Sequence, residues 1–148
     1  MNTSSIAITV LMVLGGAIYL ALAGLHAIYT WLDARNPRRL APVDPKLREA
    51  MTASGVRLAP GTMSMWDAWI GFNYSHSFGG ILLGAIAVAA PFAPWPLPPL
   101  AFALFAAFSG LYLAVGLRYW FRIPTTGIGI ATACFLAAWL LAITKSQI

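Results

Sequence analysis

Acidic residues are scarce in this chain, and so are histidine and cysteine: 148 residues hold four Asp or Glu, two His and one Cys. The single cysteine, Cys134, can form neither a disulfide nor a CxxC pair within the chain, which excludes quinone-coupled thiol–disulfide chemistry. It reads as a small apolar core residue. Zinc needs about three or four His, Cys or carboxylate ligands, and two histidines with Asp67 fall short of that, so no metal is expected. No acidic residue lies deeper in an apolar run than Asp67, which argues against a proton-coupled exporter. Charged residues of either sign make up 9% of the chain, against roughly a quarter in soluble domains.

Apolar residues fill that space, at 60% of the total. They concentrate in four stretches, Ile6–Leu32, Trp66–Ala90, Leu97–Leu117 and Gly127–Ile143, each near the ~20 residues that cross a bilayer core. Backbone groups in lipid must be satisfied within the segment, and the alternation of a membrane β-strand is absent, so the stretches predict helices. The expected fold is an all-α membrane protein, one bundle of four transmembrane helices over residues 1–148, with no soluble domain.

The basic residues predict its orientation. Arg35, Arg38, Arg39, Lys46, Arg48 and Arg57 follow the first stretch, and Arg118 and Arg122 follow the third. The opposite side has only Lys145, so the positive-inside rule places both termini outside, periplasmic in a bacterium. Topology and attraction to anionic headgroups account for the net charge of +5, and no nucleic-acid partner is expected. Ala21-Leu22-Ala23 has the look of a signal cleavage site, but no basic residue precedes the run and the run continues to Leu32, so the first helix is expected to be retained.

The first basic loop carries signals of its own. Asp44-Pro45 is a helix start, with Asp as cap and Pro at the first position. Leu47, Ala50, Met51 and Ser54 then share a side, so residues 44–54 read as a short amphipathic helix on the membrane surface. Leu58-Ala59-Pro60-Gly61 breaks the chain. Ser64-Met65-Trp66-Asp67 matches a capping box, which makes Asp67 a helix cap before it is a catalytic carboxylate.

Within the second run stands Asn73-Tyr74-Ser75-His76-Ser77. Polar groups inside hydrocarbon mark a site by default. Counted from the loop boundaries at 1.5 Å per residue, His26 lies roughly 10 Å deep, His76 roughly 14 Å, and Asn73 and Tyr112 roughly 9 Å. Antiparallel packing would bring the four into one polar layer. Small or polar residues recur along each helix: Gly16, Tyr19, Ala23, His26 and Thr30 on the first; Trp69, Asn73, His76, Gly80 and Gly84 on the second; Ser109, Tyr112 and Gly116 on the third; Thr125, Gly129 and Thr132 on the fourth. Such stripes let helices approach closely and hydrogen-bond across the contact. The boundary aromatics Trp31, Trp66, Trp95, Tyr119, Trp120 and Phe121 fit an interfacial belt, while Trp69 lies one turn deeper and is the better pocket candidate.

The run from Trp66 to Gly79, WDAWIGFNYSHSFG, followed by Arg118-Tyr119-Trp120-Phe121-Arg122-Ile123-Pro124, resembles a family of small bacterial four-helix membrane proteins. Members pair a WxxWxGFNxSH-type second helix with a YWFxxP-type start of the fourth. The resemblance implies a four-helix fold in the bacterial inner membrane, and it transfers no catalytic residue.

The residues leave two functional classes open. One is a non-catalytic membrane protein, an accessory subunit or a lipid or quinone binder, whose ligand site draws on His26, Trp69, Asn73, His76, Tyr112 and Arg118. Its partners would be membrane lipids, a small hydrophobic ligand, and either a membrane-complex subunit or a second copy of the chain. The other is a small membrane enzyme on a lipid-like substrate, with His76 as general acid/base oriented by Asn73. No cofactor is expected; bis-histidine haem on His26 and His76 is satisfied in depth alone.

The orientation is open to a direct check. Cysteines introduced near Arg39 or Arg122 are expected to be blocked only by reagents that cross the membrane, and one placed in residues 91–96 to react from outside. The reverse labelling pattern would refute it.

Overall fold

A computed structural model describes residues 3–146. Helix α1 is Thr3–Asp33 and α2 is Pro45–Ala53; strands β1 (Gly55–Val56) and β2 (Ala59–Ser64) follow, then α3 (Met65–Ala89), α4 (Pro99–Tyr119) and α5 (Arg122–Ser146). Four of the helices, α1, α3, α4 and α5, are long and apolar enough to cross a membrane. The short helix over the first loop is there too, with the Asp44 carboxylate accepting from Lys46 N at 2.9 Å and Pro45 at its first position.

Helix boundaries differ from the sequence expectation by a few residues, and one loop is structured. Helix α5 starts at Arg122 rather than Gly127, because Pro124 falls in its first turn, where an N–H has no intrahelical acceptor to lose. Thr125 secures that turn, its hydroxyl lying 3.0 Å from Phe121 O and 3.1 Å from Gly116 O. Helix α4 runs from Pro99 to Tyr119, two residues beyond Leu117. Residues 55–64, read as a simple break, form a two-stranded antiparallel hairpin, with Gly55 opposite Ser64 and Val56 opposite Ala59. Among the described residues the one positive φ, 73°, falls on Gly61, where the absence of a Cβ makes it tolerable.

The chain divides into two compact units, Met1–Leu22 with Gly80–Ile148, and Ala23–Gly79. In the first, all four long helices supply the core: Ile8, Met12 and Tyr19 from α1, Ala87 from α3, Phe102 and Ala106 from α4, and Ile128, Ala131, Phe135 and Ala138 from α5. Its tightest point is the contact of Gly16 with Gly84. A Cβ added to Gly84 would stand 2.7 Å from Gly16 O, and one added to Gly16 would stand 2.7 Å from Gly84 O. Backbone thus rests on backbone, as small-residue packing between apolar helices requires.

Hydroxyls join the helices above that core. Tyr19 Oη donates to Ser109 Oγ at 2.9 Å, Ser109 Oγ lies 2.7 Å from Thr132 Oγ1, and Thr132 donates to Ile128 O at 2.8 Å. Thr132 has one proton and spends it on a carbonyl, so Ser109 must donate to Thr132. The chain Tyr19, Ser109, Thr132, Ile128 therefore runs in one direction across α1, α4 and α5. Replacing Gly84 with Leu is expected to force α1 and α3 apart and lower the melting temperature in detergent. An unchanged melting temperature would refute the crossing.

Candidate functional site

In the unit Ala23–Gly79, the end of α1 and the start of α3 carry most of the polar residues singled out in the sequence. Capping fixes where α3 begins. Ser64 N and Oγ donate to Asp67 Oδ2 at 3.2 and 2.7 Å, and Asp67 N donates back to Ser64 Oγ at 3.1 Å. This is the reciprocal arrangement of a capping box, and it commits the Asp67 carboxylate to the helix end.

Two turns further, Asn73 is buried and its amide nitrogen donates to Trp69 O at 2.8 Å. A carbonyl can only accept, so this bond orients the amide and turns Oδ1 toward α1. There it lies 2.9 Å from His26 Nε2. His26 must then carry its proton on Nε2, which in the neutral ring leaves Nδ1 as an acceptor. His76 meets His26 edge to face, with ring centroids 5.4 Å apart at 76°. Phe72 stacks on its other side at 6.3 Å and 12°. Behind the pair, Ser77 Oγ donates to Asn73 O at 2.8 Å and Thr30 Oγ1 to His26 O at 2.9 Å. Both hydroxyls are fully buried, so these bonds keep each within its own helix.

His26, Asn73 and His76 are therefore neighbours. Tyr112 and Arg118 belong to the other unit. There Tyr112 packs edge on against Tyr19 at 5.8 Å and Trp120 at 6.1 Å. Arg118 is exposed, its guanidinium 5.6 Å from the Tyr119 ring. Trp69 contributes its carbonyl to Asn73, while its side chain lines an open apolar recess of about 280 Å³ with Leu40, Ala41, Pro42 and Met51.

One residue that the sequence reading passed over organises the loop beside that recess. The Asp33 side chain is fully buried at the end of α1. A carboxylate is disfavoured there by the helix dipole and by desolvation. Main-chain N–H groups offset both. Arg38 N donates to Oδ1 at 3.1 Å, Arg39 N to both oxygens at 3.1 and 2.9 Å, Ala41 N to Oδ2 at 3.1 Å, and Leu40 N to Oδ2 as well. The Arg39 guanidinium stands 3.8 Å away. Residues 38–41 are thereby wrapped around one anion. The available signal was an acid closing an apolar run just before Asn36-Pro37-Arg38-Arg39.

Among the bonds described, the histidine cluster has no carboxylate partner, since Asp33 serves the loop and Asp67 the helix start. Bis-histidine haem would need the two rings to face each other across an iron; they meet edge to face, and His26 Nε2 is engaged by Asn73. Among the described residues no group of three His, Cys, Asp or Glu is close enough to hold a metal ion. Comparison with protein-family models, curated proteins and solved structures gives no match.

Replacing Asp33 with Ala removes the acceptor of four N–H groups and is expected to cost about 1–3 kcal/mol. Faster proteolysis within residues 34–43, with the long helices still protected, would register it. Proteolysis at the wild-type rate would show that the loop holds its shape without the carboxylate.

Proposed function

We propose that this is a non-catalytic multi-pass membrane protein that binds the polar end of a small hydrophobic ligand, a quinone or a lipid, at His26, Asn73 and His76. Four helices of sufficient length and apolarity support the membrane placement. So do large apolar side chains exposed along all four, among them Val10, Leu82, Leu111 and Leu140, which suit a hydrocarbon solvent. The proposal keeps both termini on the outer side and the basic loops inside, in a bacterial inner membrane.

The observation that carries the ligand reading is the bond between His26 and Asn73. It locks one imidazole in a single tautomer between two apolar helices, with a second imidazole at its edge. A neutral ring presenting an acceptor suits a hydroxyl or a quinol, and a ring presenting a donor suits a carbonyl or ester oxygen. Binding is favoured over catalysis because His26 is oriented by an amide oxygen, while Asp33 and Asp67 are committed to the loop and the helix start; a general base is ordinarily oriented by a carboxylate.

Mass spectrometry of the gently extracted protein, with a visible spectrum, tests this. A quinone or lipid at stoichiometric yield is expected, and His76→Leu or Asn73→Leu should abolish its retention. If the layer serves packing alone, the same substitutions change stability by only ~0.6 kcal/mol and no ligand is lost. That outcome, with helicity intact, would overturn the ligand site.

A further inference from the structure

The loop that Asp33 holds has features that neither packing nor the histidine cluster uses. Its arginines are held by their neighbours. The Arg35 guanidinium lies 4.0 Å over the Trp31 ring and donates to Trp31 O at 3.2 Å. Arg38 Nε donates to Asn36 Oδ1 at 3.2 Å, and Arg39 stands 5.5 Å from the Tyr29 ring. All three are exposed. Lys46 and Arg48 follow on α2.

The same unit also exposes apolar side chains in a way that water does not favour. Val43 and Leu58 are 101% and 97% exposed, each at a bend of the chain, and Leu47 is half exposed on α2. The recess lined by Leu40, Ala41, Pro42, Met51 and Trp69 opens on the same unit. Leu40 and Ala41 are two of the residues whose N–H groups Asp33 holds, so one wall of the recess is built by the contact that displays the arginines.

We propose that this loop binds the headgroup of an anionic phospholipid, whose first acyl carbons occupy the recess at Trp69. Charge complementarity selects the headgroup, since basic side chains beside a membrane surface attract anionic lipid. The exposed Val43 and Leu58 select a lipid over a free phosphate or an acidic protein segment, because only a bilayer boundary also solvates them. The site rests on the membrane placement proposed above and is independent of the histidine cluster.

The test uses the full chain in nanodiscs containing brominated phosphatidylglycerol or brominated phosphatidylcholine. The signal is the part of tryptophan emission lost in Trp69→Phe. Bromine on the anionic lipid is expected to quench that part at a lower mole fraction than bromine on the zwitterionic one. Arg35→Gln and Arg38→Gln should each reduce the preference about fivefold. Both leave the main-chain N–H groups that Asp33 binds, and unchanged proteolysis of the loop confirms that its fold is kept. Arg118→Gln should leave the preference intact. Equal quenching by the two lipids, or an equal loss in Arg118→Gln, overturns the site. Extraction by alkaline carbonate reports on the membrane placement by itself: a chain that washes out refutes both readings, and one that stays while the lipids quench equally refutes only the lipid site.

Discussion

A polar side chain between closely packed apolar helices must be completed by a neighbour, because neither hydrocarbon nor a packed core supplies the missing hydrogen bond. Among the described residues every buried side-chain nitrogen and oxygen has such a partner. The solutions differ in kind. Ser77 and Thr30 turn back on their own helices, Tyr19, Ser109 and Thr132 reach across three, and Asp33 draws an irregular segment onto itself. The His26–Asn73 bond belongs to the second kind, but it involves a group that titrates and has a second nitrogen to offer.

This difference separates packing from candidate function. A hydroxyl chain ending on Ile128 O is closed: each proton is assigned and nothing is presented to a ligand. The His26 imidazole is different, because Nε2 orients the ring and Nδ1 is a second polar atom. Acids are scarce in this chain, with four Asp or Glu in 148 residues. Of the two carboxylates closest to the spans in sequence, one caps α3 and the other folds a loop.

Much of this was legible in the residues, where the signal is local. The Asp44-Pro45 start and the Ser64–Asp67 box name their own partners within a turn, and both form as read. Gly84 was legible as a close-packing residue, but its partner Gly16 depends on the rotation of two helices about their axes, which composition does not encode. Counting residues from the loop boundaries placed His26, Asn73 and His76 at similar heights, and the structure sets them side by side. The hairpin at residues 55–64 was missed because Pro60-Gly61 reads equally as a strand interruption or a turn. Asp33 was missed for a deeper reason: its partners are main-chain groups, which leave no mark on the pattern of side chains.

The last point separates shape from chemistry in the loop. Asp33 accepts its hydrogen bonds from amide protons, with the Arg39 guanidinium at a longer 3.8 Å, so most side chains at residues 38–41 are compatible with the hydrogen bonds that fold them. Proline alone is barred from those four positions, for want of an N–H. Evolution is thus free to retune the outer face, exchanging arginine for another charge or for none, on a frame that does not register the change.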